Sequence, residues 1–352
     1  ARDAGARGAA RRRLRACAAV LTVFDGHNDT LTREDADAFA TGREGGHVDL
    51  PRARRGGLGG GIFAAFTPTP GDPPPDGEPA APIGQDAAAA VVTRTLGRLL
   101  KLEREGHVKL ARASGDLDAA REAGTLAAVA HIEGAEAVDP GLLALDALHA
   151  AGLRSLGPVW SRPNAFAHGV PFAYPSSPDT GPGLTPAGTR LVRRCAELGI
   201  AVDLSHLNER GFWDVARLDL APLIASHSGA HALCAASRNL TEAQLDAIGA
   251  SGGLVGVVFA VGFVRPDGAE DPDTPLETIA AHVRHIADRI GVDHVALGSD
   301  FDGAEIPRAL GDVAGLPRLL DAIRAEGFTP DEMERIAWGN WRRVLEAAWA
   351  AA

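Results

Sequence analysis

Short apolar segments alternate with amphipathic stretches along most of this chain. The apolar segments are continuous rather than alternating, which is typical of parallel strands covered on both faces. They are residues 23–24, 61–66, 126–132, 153–159, 201–204, 223–225, 253–258 and 295–298. The pattern therefore predicts eight buried strands.

The stretches that follow these segments have helical periodicity. They are residues 86–105, 141–151, 186–198, 209–218, 241–250 and 275–290, with two further helices at 316–326 and 330–349. Eight strand–helix units in one chain of this length predict a single (β/α)8 TIM barrel with extra C-terminal helices. A doubly wound parallel sheet is the alternative. We expect residues 1–20 to be an N-terminal extension and residues 21–352 to form the barrel domain.

Two segments, 67–82 and 161–186, are dense in proline and glycine. Proline in these numbers is incompatible with a helix or a central strand, so both are predicted to be loops. Neither separates two halves of different composition. We therefore interpret them as long insertions within one domain that shape an active site.

Composition excludes several classes of protein. The chain has 352 residues, is 45% hydrophobic and carries a net charge of −11, which argues against disorder and against nucleic acid or an anionic membrane as a partner. Three separated cysteines give neither a disulfide framework nor a thiolate zinc site. Because no apolar run approaches about 18 residues, and because a cleaved leader would remove the motif at 25–29, we expect a cytoplasmic protein without a signal peptide or lipid anchor.

Polar side chains that bind metals follow five of the eight predicted strands. They are His27, Asp29, Glu133, His206, His227 and Asp300. The carboxyl ends of the strands meet at one face of a parallel barrel, where the chemistry of such folds is found. Imidazole and carboxylate ligands suit Zn²⁺, and also Mn²⁺ or Fe²⁺.

The spacing of these residues favours two metals. His27 and Asp29 are two residues apart in extended backbone, so their side chains project to the same side and one metal can bind both. His206 and His227 end adjacent strands and can share a second metal. Glu133 is then the candidate bridge, because neither lysine of the chain lies at a strand end to serve instead.

Other polar residues have simpler interpretations. His131 is interpreted as packed or as supporting a neighbouring ligand, although it could also face the barrel. Asp302, followed by a glycine, is interpreted as a structural turn residue. The remaining histidines are assigned to the surface or to packing: His47, His107, His149, His231, His282, His285 and His294.

Six segments of the chain resemble the membrane dipeptidase (renal dipeptidase) family of metallopeptidases, within the amidohydrolase superfamily. They are FDGHNDT at 24–30, VDLPRARRGGLGGGIFAAF at 48–66, HIEGAEAV at 131–138, DLSHLNERGFWDV at 203–215, PLIASHSGAHALCAASRNLTEAQLDAIGASGGLVGV at 222–257 and HVALGSDFDGA at 294–304. They occur in the family's order and span nearly the whole chain after about residue 20.

The resemblance implies a (β/α)8 barrel with two zinc ions per subunit that hydrolyses dipeptides, commonly with a D-residue tolerated at the C-terminal position. It assigns His27 and Asp29 to one zinc, and the strand-end histidines at 206 and 227 to the other, with Glu133 between them. It further implies that Asp300 handles protons and that Arg238 holds the terminal carboxylate of the substrate. Family members are often homodimers.

One position departs from the family pattern. The family often has a histidine after the fourth strand that helps bind the substrate carbonyl, and here the segment 152–160 places Trp160 there. The segment WSRPNAFAHG at 160–169 resembles a bacterial branch of the family. An indole can donate only one hydrogen bond, so Arg162 or His168 is expected to supply the missing contact.

Three functions fit these residues. The first is dipeptide hydrolysis by a bridging hydroxide on a binuclear zinc site. The second is another amidohydrolase-type reaction on a lactam, a cyclic amide or a deaminase substrate, for which Arg238 has no use unless the substrate carries a carboxylate. The third is a metal-stabilised binding protein without turnover, against which the presence of Asp300 argues.

Overall fold

The computed structural model describes residues 21–71, 74–220 and 222–350. Within these ranges the chain forms nine strands, all paired in parallel. They are β1 Val23–Asn28, β2 Leu58–Phe66, β3 Val108–Leu110, β4 Leu126–Glu133, β5 Leu153–Gly157, β6 Ala201–Val202, β7 Ile224–Ser228, β8 Leu254–Val257 and β9 Val295–Leu297. The expected extension 1–20, which includes Cys17, lies outside the described residues, so the proposed domain boundary stays a prediction.

The strands close into a barrel. One sheet has the order β1-β2-β4-β5-β6, and the other has the order β7-β8-β9. Parallel bridges join the two sheets on both sides, between Asp203 and Ile224 and between Asn28 and Phe301. This closed parallel barrel confirms the predicted (β/α)8 fold over the doubly wound alternative.

Helices cover the outside of the barrel. They are α1 Leu50–Gly56, α2 Gln85–Arg104, α3 Ser114–Ala123, α4 Leu143–Ala150, α5 Pro186–Leu198, α6 Glu209–Ala216, α7 Glu242–Ala250, α8 Val261–Val264, α9 Leu276–Ile290, α10 Leu316–Ala325, α11 Pro330–Glu334 and α12 Asn340–Trp349. Seven of the eight predicted helices are present, with ends shifted by at most two residues. None of the helices in the described ranges is long and apolar enough to span a membrane.

The sequence pattern missed several short elements. Strand β3 has three residues and pairs with the first residues of β4, below the part of β4 that pairs with β5. Helices α1, α3 and α8 were also missed. The predicted helix 330–349 is wrong as a continuous α-helix, because a π-helical segment, Arg335–Gly339, interrupts it.

That π-helical segment helps to fill the barrel. Trp338 within it and Trp341 just after it pack with Phe24 of β1, with ring centroids 5.6 and 5.9 Å from the phenylalanine ring. Small inward residues of the strands leave room for these indoles. At Gly26 a Cβ atom would lie 2.3 Å from the Trp341 ring, so this position requires glycine next to His27.

The two predicted loops lie against each other beside the carboxyl ends of the strands. No helix or strand occurs in the described parts of 67–82, and 161–185 contributes only isolated bridges. Ala80 donates its backbone N–H to the Ser161 carbonyl at 3.1 Å, and Gly77 donates to the Phe172 carbonyl at 2.7 Å. The loops therefore form one wall of the site face, as the sequence analysis expected.

Asp302 organises the turn after β9. Its side chain is fully buried and accepts hydrogen bonds from Arg43 Nη2 at 2.7 Å and from Thr30 Oγ1 at 2.9 Å. The backbone N–H of His47 donates to its other oxygen at 2.6 Å. This agrees with the interpretation of Asp302 as a structural residue, and it links the β1 and β9 loops.

Candidate metal centre and substrate site

The structure brings the five predicted metal ligands together at the carboxyl end of the barrel. His27 lies near the end of β1 and Asp29 follows it directly, while Glu133 is the last residue of β4. Nε2 of His27 lies 3.6 Å from Asp29 Oδ2 and 3.6 Å from Glu133 Oε2. These three side chains could hold one cation between them.

A second group lies on the other side of Glu133. Nε2 of His206 lies 2.9 Å from Glu133 Oε1, and Nε2 of His227 lies 3.5 Å from the same oxygen. The two imidazole nitrogens are 3.1 Å apart. Each oxygen of Glu133 therefore faces a different pair of side chains, which is the arrangement a bridging carboxylate needs.

Buried polar atoms in this cluster fit bound cations. Both ring nitrogens of His27 and Oδ1 of Asp29 are buried and have no hydrogen-bond partner among the described residues. The rings of His27 and His227 stack with centroids 3.8 Å apart. Buried polar atoms without partners are costly unless they bind something, and the ligand set of imidazoles and carboxylates suits a divalent metal.

Hydroxyl groups orient the two histidines of the second group. Ser161 Oγ lies 2.9 Å from Nδ1 of His206, and Ser226 Oγ lies 2.7 Å from Nδ1 of His227. Ser226 in turn donates to Asp203 at 2.6 Å. Such partners fix the ring orientation of a ligand. Sequence reasoning missed these three residues, although Ser226 stands directly before a predicted ligand.

The electrostatics of the cluster agree with ligand roles. Burial favours the neutral form of Glu133, but the nearby imidazoles outweigh it and hold the pKa of Glu133 well below its usual range. Burial, helped by the charge of Arg238, lowers the pKa of His206 to about 4. Burial also lowers the pKa of His227 well below its usual value. An ionised carboxylate and neutral imidazoles are the protonation states that bind metal.

His27 behaves differently because carboxylates surround it. Burial disfavours its charged form, but the charges of Glu133 and Asp29 outweigh burial and raise the pKa of His27 well above its usual value. Burial, together with the charge of Glu133, raises the pKa of Asp29 to about 6. This side of the cluster therefore carries excess negative charge that a cation would neutralise.

Asp300 lies at the edge of the same cluster. Its backbone N–H donates to the His27 carbonyl at 3.0 Å, and its φ of 59° is in the left-handed region. A Cβ atom on Gly303 would lie 2.3 Å from Asp29 Oδ2 and 2.4 Å from Asp300 Oδ1, so glycine at 303 lets both carboxylates face the same space. Burial, with the charges of Asp29 and Glu133, raises the pKa of Asp300 to about 7.

Arg238 is a buried cation beside the second group. Its guanidinium donates to the Ser228 hydroxyl and to the His227 carbonyl, both at 3.0 Å, and lies over the Phe263 ring. Only 3% of the residue is exposed, and Nε has no partner among the described residues. Burial lowers the pKa of Arg238 to about 10, so it is still charged at neutral pH.

The three remaining predicted site residues lie in the loop wall. Trp160 is half-buried with its ring centroid 5.8 Å from that of His206. Arg162 is fully buried, and its guanidinium contacts Glu136 and the loop after β2 instead of the metal cluster. The His168 ring bonds to the Gly183 carbonyl at 3.3 Å. Neither side chain is hydrogen-bonded to a predicted metal ligand, and the expected substrate contact from Arg162 or His168 stays a prediction.

Two other histidines support the site from behind. His131 is buried, with Nδ1 2.9 Å from Ser155 Oγ and its ring packed edge-on against His27. His282 accepts a hydrogen bond from the Ala230 N–H and faces the Val264 carbonyl, both at 3.0 Å. Both agree with the interpretation of these residues as packed rather than ligating.

Comparison with known proteins tests the resemblance. The sequence model of the membrane dipeptidase family, peptidase family M19, matches residues 11–352. The chain belongs to this family. A Klebsiella pneumoniae protein encoded in the region 5′ of pqqA is 50% identical to it over 244 residues, which is 69% of this chain and 90% of that protein.

Solved structures of the family have the same fold. A metallopeptidase from Rhodobacter sphaeroides, liganded with a phosphinate mimic of the dipeptide L-Ala-D-Ala, is 45% identical with a TM-score of 0.90, over 94% of this chain and 100% of that one. Dipeptidase AC, a metallopeptidase, is 47% identical with a TM-score of 0.89, over 94% of this chain and 99% of that one.

Family membership confirms the resemblance and sets the broad class. The protein is a TIM-barrel hydrolase of a metallo-dipeptidase family, for which a divalent metal is implied. The cluster around Glu133 is the place where the described residues offer such a metal its ligands.

Proposed function

We propose that the protein hydrolyses dipeptides with two divalent metal ions, preferably zinc, bound at the cluster around Glu133. His27 and Asp29 would hold one ion, His206 and His227 the other, and Glu133 both. The orphaned atoms of His27 and Asp29 support the first position, and the close approach of two imidazole nitrogens supports the second. Ions at these residues would supply an activated water as nucleophile and polarise the scissile carbonyl.

Asp300 is the proposed proton carrier. Its carboxylate faces the space that it shares with Asp29, and its pKa of about 7 suits a group that is both base and acid near neutral pH. We infer that it takes a proton from the attacking water and returns it to the leaving amine. This keeps the amine from leaving as an anion.

The observation that carries the proposal of a dipeptide substrate is the state of Arg238. A buried charge without a partner is strongly unfavourable, and no carboxylate of the described residues forms an ion pair with this guanidinium. The free carboxylate of a dipeptide would supply that partner and could accept two parallel hydrogen bonds from the guanidinium. In a longer peptide the residue after the scissile bond carries no free carboxylate, so it could not pair with Arg238 in this way.

The substrate range follows from the same reasoning. We propose that both L,L and L,D dipeptides are accepted, and the similar Rhodobacter sphaeroides enzyme with its L-Ala-D-Ala mimic supports the second class. Hydrolysis of a lactam or cyclic amide is the alternative reaction for the same metal cluster, but it gives Arg238 no anionic partner unless that substrate carries a carboxylate. A homodimer and a cytoplasmic location stay predictions.

Replacing Arg238 by methionine tests this assignment. We expect kcat/KM for L-Ala-L-Ala to fall by roughly 10- to 150-fold, because a hydrogen bond to a charged group contributes about 1.5–3 kcal/mol. The wild type should discriminate against the C-terminal amide of the same dipeptide by a similar factor. The Arg238→Met variant should hydrolyse dipeptide and amide equally well.

The exposed Arg308 offers a matched control, since it pairs with Asp273 at the surface. Arg308→Met should leave both rates unchanged. Equal kcat/KM of the wild type for the dipeptide and its amide would overturn the proposed role of Arg238 and, with it, the dipeptide assignment.

A further inference from the structure

Aromatic side chains form a wall beside the second histidine pair. The Trp160 ring centroid lies 5.0 Å from that of Phe66, 5.6 Å from that of Phe172 and 5.8 Å from that of His206. Phe172 continues the wall toward Phe263, at 5.4 Å between centroids. Trp160 is half-buried, and its ring lies beside that of His206, a proposed metal ligand.

Arg162 backs this wall from inside the protein. The residue is 0% exposed, and its guanidinium carbon lies 5.0 Å from the Trp160 ring centroid and 5.6 Å from that of Phe66. A guanidinium over an aromatic face is attractive, more so when it is desolvated. The cation therefore holds both rings from one side.

Three hydrogen bonds fix the plane of that guanidinium. Nε donates to Glu136 Oε1 at 2.8 Å, Nη1 donates to Thr69 Oγ1 at 3.1 Å, and Nη2 donates to the Thr67 carbonyl at 2.9 Å. Glu136 lies in a short 3-10 segment, Ala135–Ala137, three residues after Glu133. Arg162 thus ties together the segments that follow β2, β4 and β5.

All three nitrogens of the buried Arg162 guanidinium donate a hydrogen bond, which restricts its motion, and the Trp160 ring packs against it. A freely mobile indole would turn aside for a large substrate side chain. Trp160, held by the guanidinium and by two aromatic neighbours, lacks that freedom.

The order of side chains around the barrel indicates which end of a dipeptide meets Trp160. Trp160 follows β5, and Arg238 follows β7, with His206 and His227 between them. If the scissile carbonyl lies at the two histidines and the carboxylate pairs with Arg238, the N-terminal residue of the dipeptide extends toward Trp160.

We propose that Arg162 is a positioning residue, and that by fixing Trp160 it restricts the N-terminal residue of the substrate to small side chains. This inference rests on the proposed dipeptidase function. It assigns Arg162 an effect on selectivity among dipeptides, while its guanidinium contacts no substrate.

The test compares kcat/KM for L-Ala-L-Ala, L-Phe-L-Ala and L-Ala-L-Phe in zinc-loaded enzyme. The variants are Trp160→Ala and the paired change Arg162→Met with Glu136→Gln, which removes both charges so that neither is left buried alone. Each variant should raise kcat/KM for L-Phe-L-Ala by about tenfold relative to kcat/KM for L-Ala-L-Phe and relative to kcat/KM for L-Ala-L-Ala. A factor of this size is usual for one pocket contact.

Combining the variants separates positioning from general damage. The combined variant, with the paired change added to Trp160→Ala, should have the same kcat/KM ratios as Trp160→Ala alone, because Arg162 acts through the indole. The inference would be overturned if the paired variant left the kcat/KM ratios unchanged, or if the combined variant raised them further than Trp160→Ala alone. It would also be overturned if the variants raised kcat/KM for L-Ala-L-Phe instead of L-Phe-L-Ala. A wild type inactive on all three dipeptides would instead overturn the proposed function.

Discussion

Replacement of Asp300 by asparagine is expected to reduce kcat for a dipeptide by roughly 10²–10⁴-fold, the usual contribution of a general acid–base group. The amide keeps the shape of the carboxylate but cannot accept the proton. The backbone bond from residue 300 to the His27 carbonyl does not involve the side chain, so the turn should persist. Steady-state kinetics of zinc-loaded enzyme gives the measurement.

Metal content and melting temperature of the Asp300→Asn variant serve as controls. Both should match the wild type, because none of the described hydrogen bonds is made by the Asp300 carboxylate. A variant that retains near-wild-type kcat would exclude Asp300 as the proton carrier.

Asp302→Ala, only two residues away, should lower the stability of the fold, which Asp300→Asn should leave unchanged. It should lower the free energy of unfolding by about 3–5 kcal/mol, the range for removing one partner of a buried ion pair. The change removes the closer and fully buried carboxylate of the Arg43 guanidinium, which keeps only the partly exposed Asp35 at 3.1 Å, and it also removes the acceptor of Thr30 Oγ1 and of the His47 N–H. Urea denaturation of the metal-loaded protein measures the effect.

An exposed pair gives the matched control for Asp302. Asp273 pairs with Arg308 at 2.9 Å, but their side chains are 73% and 70% exposed. Asp273→Ala should therefore cost no more than about 1 kcal/mol. Equal free energies of unfolding for the two alanine variants would show that the Asp302 network does not hold the turn.

Much of the candidate site was predictable because a parallel barrel converts strand order into proximity. Residues as distant in sequence as His27 and His227 meet since both end strands of one closed sheet. The position of Glu133 between the two pairs of side chains was predictable for the same reason. The residue types at the strand ends identified the candidate ligands, and the barrel fold explains why these side chains lie close together.

The loop residues could not be placed in this way. Arg162 was expected to contact substrate, yet its partners come from three separate segments that no spacing rule connects. The hydroxyl of Ser161 contacts His206 because the start of the long loop, after β5, lies beside the segment that follows β6. Such contacts depend on the conformation of the loop, which the sequence pattern does not predict.

The errors in the fold have a related cause. Strand β3 is too short to give a period, and its hydrogen bonds are set by β4. The π-helical segment before Asn340 preserves the apolar pattern of a helix, so only the packing of Trp338 and Trp341 inside the barrel reveals it.

Zinc titration of metal-free protein, followed by hydrolysis of L-Ala-L-Ala and L-Ala-D-Ala, tests the central claim most directly. The proposed site predicts no hydrolysis without metal and activity that rises to a plateau at two zinc ions per chain, the number that the ligand pairs on either side of Glu133 can hold. Activity that is complete at one ion per chain, or no hydrolysis of either dipeptide at any zinc concentration, would contradict it.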